Sequence, residues 1–102
     1  MTPYVYVAVR GDLSAEQVAV QAAHATHESG ACFGAPEGTH LVLVKVPNEE
    51  ALMRLSEHLS NARVEHIVFY EPDPPGPGNT ALCTAPVSGS LRRHFKHLEL
   101  YT

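Results

Sequence analysis

The sequence predicts a single α/β domain, a three-layer α/β/α sandwich around a mixed four-stranded sheet. The chain has 102 residues, which is close to the common size of one domain and too short for two. Hydrophobic residues make up 44% and charged residues 18%, so the chain can bury a core and does not have the composition of a disordered protein. Apolar segments alternate with segments of helical period, as they do in α/β proteins. We therefore expect one domain over residues 1–102.

The first predicted elements are a buried strand and a helix. Residues 2–10 are rich in β-branched and aromatic side chains and contain an apolar run without clean alternation, which is typical of a strand covered on both faces. Ser14 and Gln17 have the spacing of a capping box, which predicts a helix that begins here and ends near Glu28. Residues 29–38 contain three glycines and one proline and are predicted to form a loop.

A second strand and a second helix follow. Residues 40–46 alternate leucine and valine and are predicted to form the strand. Asn48 is a favourable helix N-cap, and Glu49 and Glu50 place negative charge in the first turn, where the helix dipole favours it. This helix is predicted to end near Asn61. Its apolar face is formed by Leu52, Leu55 and Leu59.

The last third of the chain predicts a hairpin, a short helix and an extended end. Two strands are predicted over residues 64–70 and 80–85. The nine residues between them include four prolines and two glycines and form a stiff loop. Ser88 is predicted to cap a helix that ends near Phe95, and residues 97–101 form either a terminal strand or an extended tail. In the resulting arrangement, helices cover a mixed sheet, and the first crossover connections between strands are right-handed.

Composition also limits where the protein works and what it binds. No apolar run approaches the roughly 18 residues of a membrane span, and the first residues lack the pattern of a secretion signal, so we expect a cytoplasmic protein without membrane association. Cys32 and Cys83 are too few for a disulfide scaffold. The net charge of −4 has the wrong sign for binding nucleic acid by bulk electrostatics. Any such binding requires a local patch.

One basic cluster provides a candidate patch. It consists of Arg92, Arg93, His94, Lys96 and His97. These side chains are able to hold phosphate groups. Alternatively, these cations lie at the C-terminus of a helix and only complement the helix dipole. The pattern alone leaves both interpretations open.

Polar side chains lie along one stripe of the first helix. Gln17, Gln21, His24 and Glu28 are spaced so that they share a helix face. This stripe is either the solvated side of an amphipathic helix or part of a site, and the neighbouring alanines would let a substrate approach closely. Near the end of the third strand, Glu71 or Asp73 provides a carboxylate that could orient a water molecule or a histidine. The alternative is that these two residues only keep a turn soluble.

Histidine pairs at helical spacing raise the question of a metal site. His24 and His27 form one such pair, and His94 and His97 form another. Zinc sites usually combine two close pairs of ligands, and the chain contains neither an HExxH nor a CxxC motif. We therefore expect no metal and no cofactor. P-loops, nucleophile elbows and dinucleotide fingerprints are also absent from the sequence.

Several segments together resemble the type 2 family of peptidyl-tRNA hydrolases. The most specific are the VAVQAAHA block at residues 18–25 and the ending HLELY at residues 97–101. Compatible segments are VYVAVRGDL at residues 5–13, the second strand with the following helix start, and TALCTAP at residues 80–86. The resemblance covers nearly the whole chain. It implies a mixed four-stranded sheet between helical layers, a homodimer, and hydrolysis without a cofactor of the ester that joins a peptide to tRNA.

The resemblance also implies roles for individual residues. Gln21, His24 and Thr80 match family positions. In this interpretation His24 or Asp73 orients the attacking water. The ester or the terminal ribose is bound by Gln17, Gln21 and Thr80. Glu71 is a further substrate-binding candidate, and the tRNA phosphates meet Arg92, Arg93 and Lys96.

The chain departs from the family pattern at two places. The family lysine four residues before the glutamine is Gln17 here, so a cation that would stabilise developing negative charge is missing. An aspartate-containing family segment is replaced by a Glu-Pro-Asp turn at residues 71–73. Two alternatives to hydrolysis follow. The chain either binds tRNA, another RNA or a protein without turnover, or keeps the fold for dimerisation or a small-molecule role.

Overall fold

The structure, a computed structural model, describes residues 1–72 and 77–101 and centres on strand β1, Tyr4–Arg10. Every residue from Val5 to Val9 is buried, as expected for a strand covered on both faces. The other strands and helices, in chain order, are α1 Ala15–Phe33, β2 His40–Val46, α2 Glu49–Asn61, β3 His66–Glu71, β4 Gly78–Thr84, the 3₁₀ helix η1 Gly89–Phe95, and β5 Glu99–Leu100.

The sheet has five strands in the order β3-β4-β1-β2-β5, so the predicted count of four was wrong. Strands β1 and β2 are parallel, whereas the other three pairings are antiparallel. The additional strand β5 lies in the segment that was predicted to be either a terminal strand or an extended tail, and it pairs with Val44 and Lys45 at the edge of the sheet. The backbone N–H of Tyr101 also donates to the carbonyl oxygen of Leu43 at 3.0 Å, which fastens the chain end to this edge.

Two hydrophobic cores lie on opposite faces of the sheet and confirm helical layers on both sides. Because side chains alternate along a strand, Val7 of β1 faces one core and Tyr6 faces the other. The first core includes Val18 and Ala25 of α1. The second core is formed with Leu52, Leu55 and Leu59 of α2 and Phe95 of η1. The sheet therefore separates α1 from α2 and η1.

Helix α1 extends beyond its predicted end at Glu28, and the predicted loop over residues 29–38 begins too early. The helix continues to Phe33 and stops at Gly34, whose φ of 69° is accessible mainly to glycine. Ser29 stabilises the added turn, because its hydroxyl donates to the carbonyl oxygen of Thr84 at 2.9 Å. Glycine content alone predicted a loop here and gave no information about this distant contact.

The remaining elements are present, with three differences from the predictions. Strand β3 begins at His66 instead of residue 64, and β4 begins at Gly78 instead of residue 80. The short predicted helix is the 3₁₀ helix η1, whose Ser88 makes no side-chain capping hydrogen bond. Strand β2 and helix α2 have their predicted bounds, and the Asn48 side chain accepts a hydrogen bond from the Ala51 backbone N–H at 2.9 Å. The predicted hairpin is present, with β3 and β4 paired antiparallel from His66 opposite Thr84 to Glu71 opposite Gly78. Over residues 1–72 and 77–101, no helix is both long enough and apolar enough to cross a membrane.

Candidate functional site

A buried hydrogen bond joins helix α1 to strand β4. The Thr80 hydroxyl donates to Gln21 Oε1 at 3.0 Å and lies 3.3 Å from the carbonyl oxygen of Phe69. Thr80 is fully buried and Gln21 is 6% exposed. The pair lies 59 residues apart in sequence. Both residues were predicted as site residues from the family resemblance, and Gln21 also from its place in the polar stripe of α1. Because the Thr80 proton is used in this contact, Thr80 positions Gln21 and its hydroxyl is not a free nucleophile.

The Gln21 amide nitrogen has no hydrogen-bond partner in the part of the chain that the structure describes, although the residue is only 6% exposed. Within residues 1–72 and 77–101, every buried side-chain nitrogen or oxygen has a hydrogen-bond partner. Gln21 Nε2 makes no hydrogen bond with these residues, so it is not buried. With Oε1 held by Thr80, the amide has one orientation and keeps two N–H donors for a ligand.

His24 follows Gln21 by one helical turn and stacks on strand β3. Its ring lies parallel to that of Phe69, with a centroid distance of 4.9 Å and an interplanar angle of 2°. His24 is exposed, and no residue in the described part of the chain forms a hydrogen bond with its ring. The stack fixes the plane of the imidazole and leaves its nitrogens available to water or a ligand.

Gln17 lies at the start of α1 and completes the predicted capping box. Its backbone N–H donates to Ser14 Oγ at 3.2 Å, and its Oε1 accepts from the Ser14 backbone N–H at 3.2 Å. The side chain therefore folds back onto the helix end. Gln17 is neutral, so the position that is a lysine in the resembled family stabilises the helix here and provides no cation.

Sequence reasoning missed an ionic network at the same end of the sheet. Arg10 forms a two-point contact with Asp12, with both nitrogen–oxygen distances 2.9 Å, and its Nη1 donates to the carbonyl oxygens of Asn79 and Pro77. The hydrogen bond from Arg10 lowers the pKa of Asp12. These contacts attach the first residues of β4 to the end of β1. The sequence gives one indication of this network, which is the position of Arg10 at the end of a predicted strand.

Glu49 of helix α2 also binds the start of β4, in addition to Arg10. Its Oε2 accepts hydrogen bonds from the backbone N–H of Asn79 at 2.8 Å and from the Asn79 side chain at 3.1 Å. The backbone bond is the largest cause of a lowered Glu49 pKa. Gly78 is required beside it, because an added Cβ would lie 2.6 Å from Glu49 Oε2 and the φ of Gly78 is 82°.

The two predicted carboxylates are placed differently. Glu71 is the last residue of β3 and lies opposite Gly78 in the hairpin. Asp73 lies outside the described residues, so its predicted role stays a prediction.

The predicted basic residues lie on the other face of the sheet from His24 and Gln21. Arg92 stacks on the Tyr4 ring at 3.6 Å, and its Nε donates to the Tyr6 hydroxyl at 3.0 Å. Arg93 donates to the Ser90 carbonyl oxygen at 2.8 Å, and Lys96 is exposed at the end of η1. The three cations therefore do not adjoin the polar stripe of α1.

The histidine pairs do not form metal sites in the part of the chain that the structure describes. No group of three or more metal-binding side chains occurs among those residues. His94 instead contacts His58 of α2, with Nδ1 and Nε2 3.0 Å apart. Desolvation, followed by the nearby charges of Arg93 and His58, lowers the pKa of His94.

Comparisons with known proteins establish the fold and no function. No protein-family model and no curated protein matches the sequence. Among solved structures, the chain is similar to a protein of unknown function from Agrobacterium tumefaciens, with a TM-score of 0.76 and 12% sequence identity. The match covers 100% of this chain and 99% of the other. At this identity the similarity concerns the architecture alone.

The Gln21–Thr80 contact is expected to contribute measurably to stability. Thr80→Val leaves the buried Gln21 oxygen without a donor and should lower the free energy of unfolding by about 1–3 kcal/mol. The double variant with Gln21→Leu should lose less free energy of unfolding than the two single variants lose together, because it no longer contains the unpaired Gln21 oxygen. Urea denaturation of the four proteins measures this coupling.

Thr39→Val is the matched control, since its hydroxyl bonds to the Pro36 carbonyl oxygen in an exposed loop. It should change stability by no more than about 0.5 kcal/mol. Additive effects of the Thr80 and Gln21 substitutions would contradict a direct contact.

The lowered pKa of Glu49 predicts a pH-dependent contribution to stability. Because the pKa is lower in the folded state, the contribution is complete above the unfolded-state pKa and is lost as the pH falls through the folded-state pKa. Glu49→Gln should therefore reduce the loss of stability between about pH 6 and pH 3. The measurement is the urea midpoint as a function of pH. Glu50→Gln, which removes an exposed pair with Arg54, should follow the wild-type curve.

Proposed function

We propose that this protein is a type 2 peptidyl-tRNA hydrolase-like esterase, which hydrolyses the bond between an acyl-amino acid and the terminal ribose of tRNA. The observation that supports this most strongly is the contact between Gln21 and Thr80. Both residues match family positions in the resemblance, and they lie in separate segments of the chain. Their direct hydrogen bond brings the two resembling segments into contact, and this supports the proposal. The homodimer and the cytoplasmic location expected from the sequence belong to the same proposal.

His24 is the proposed general base. Its imidazole accepts a proton from a water molecule as the water oxygen attacks the ester carbonyl carbon. The carbon–oxygen bond to the ribose then breaks, and the ribose oxygen takes up the proton. The stack on Phe69 fixes the ring plane, so the base is already oriented before substrate binds. Asp73 is the proposed carboxylate that orients His24 or the water.

Gln21 is the proposed donor to the ester carbonyl oxygen. Its Nε2 has no hydrogen-bond partner among the described residues, and Thr80 holds the amide oxygen and so fixes the orientation of this nitrogen. A fixed N–H donor stabilises the negative charge that develops on the carbonyl oxygen during attack. Arg92, Arg93 and Lys96 do not take part in this proposed site, because the sheet lies between them and His24.

Binding of acylated tRNA without turnover is the second candidate. The observation that favours it is the role of Gln17, whose neutral side chain is engaged in the capping box. Loss of one preorganised electrostatic group typically costs about 10²–10³ in rate. A chain without that cation would still bind acylated tRNA but would hydrolyse the ester very slowly.

Single-turnover cleavage of labelled N-acetyl-aminoacyl-tRNA tests hydrolysis, with tRNA binding measured in parallel. The wild type should cleave, and His24→Ala should reduce the rate by about 10²-fold or more, because the general base is lost. Asp73→Asn should also slow cleavage. Gln17→Lys should raise the rate by adding a cation near the developing charge.

His27→Ala is the matched control, since His27 is exposed on the same helix and forms no ring contact with Phe69. It should cleave at the wild-type rate. Binding without cleavage would support the second candidate, particularly if Gln17→Lys restores turnover. Neither binding nor cleavage by any variant would contradict both candidates.

A further inference from the structure

A groove of about 390 Å³ lies on the face of the sheet opposite α1, away from the proposed esterase site. Its floor includes Tyr6 of β1 and Val42 and Val44 of β2. Its walls include Phe95, Leu98 and Leu100. The volume is near the lower end of the range of about 300–1,000 Å³ for small-molecule sites, so a ligand here would be small.

Arg92 is held rigidly at this groove. Its guanidinium lies 3.6 Å from the centre of the Tyr4 ring, and its Nε donates to the Tyr6 hydroxyl at 3.0 Å. The two terminal nitrogens, Nη1 and Nη2, have no hydrogen-bond acceptor among residues 1–72 and 77–101. A guanidinium that is fixed in place and keeps two donors matches the two oxygens of a carboxylate.

The charge of the lining favours an anion. Arg92 and Lys96 line the groove, and no carboxylate does so among the described residues. The chain as a whole carries a net charge of −4, so this local positive charge is opposite to that of the protein. The apolar floor and walls, in contrast, favour a ligand with an apolar body. A tRNA backbone offers phosphates but no such body.

We propose that this groove binds a small carboxylate carried on an apolar body, either a medium-chain acyl chain or an aromatic ring. The carboxylate pairs with Arg92, and Lys96 adds a second positive charge at the rim. The apolar body lies along Val42, Val44 and Leu98. This site is independent of the proposed hydrolysis, because the two lie on opposite faces of the sheet.

Calorimetric titration with decanoate and with 2-naphthoate tests the proposal and distinguishes the two kinds of body. At least one probe should bind saturably. Arg92→Gln should weaken its binding by about tenfold or more, because a charge-assisted two-point contact is lost. Arg93→Gln is the matched control, since it removes the same charge from the next residue, which does not line the groove. It should leave the affinity within about twofold of the wild type.

Two further variants keep the test decisive if Arg92→Gln perturbs folding. Lys96→Gln alters an exposed residue and should weaken binding, and Val42→Phe should block the groove without changing charge. The neutral probe 2-naphthalenemethanol should bind more weakly than 2-naphthoate. Absence of saturable binding by both acids would overturn the proposal. Equal weakening by Arg92→Gln and Arg93→Gln would also overturn it, as would equal affinity for the neutral probe.

Discussion

Strand β1 is buried on both faces of the sheet, and this burial determines how the helices are arranged. Val5 to Val9 are each at most 7% exposed, and their side chains alternate between two hydrophobic cores. Each face of the sheet therefore needs its own helical layer. Helix α1 covers one face, and α2 with η1 covers the other. This division also separates the proposed esterase site from the groove at Arg92.

Directional contacts set the position of α1 on its face of the sheet. Its inward side chains include small ones such as Ala25, and two of its buried side chains are polar. Gln21 contacts Thr80, and Ser29 donates to the Thr84 carbonyl oxygen, so each buried polar group is paired. An apolar surface alone would tolerate a shift of the helix, whereas these hydrogen bonds do not. The stacking of His24 on β3 follows from this fixed position.

Elements with local signals were predicted from the sequence, and features that depend on distant contacts were not. Strand β2 and helix α2 were predicted with their observed bounds, because β2 is a local run of leucine and valine and α2 carries its own N-cap and apolar period. The last turn of α1 was missed, because its stabilising contact comes from Thr84, 55 residues away from Ser29. The polar stripe on α1 was predicted from residue spacing. The hydrogen bond between Gln21 and Thr80 was not, because it depends on how distant segments pack together. Arg92 and His24 were grouped in one site on the sequence, but η1 packs on the face of the sheet opposite α1, and no local sequence pattern shows which face an element covers.

If the sheet separates two independent sites, nuclear magnetic resonance mapping should place the two ligands on opposite faces. The protein would be titrated with the amide-linked, non-hydrolysable analogue of an N-acetyl-aminoacyl CCA oligonucleotide, with 2-naphthoate, and with both together. We expect the oligonucleotide to shift the signals of His24 and Phe69, and naphthoate to shift those of Val42 and Leu98, with neither ligand displacing the other. Competition between the two ligands, or shifts confined to one face for both, would contradict this separation.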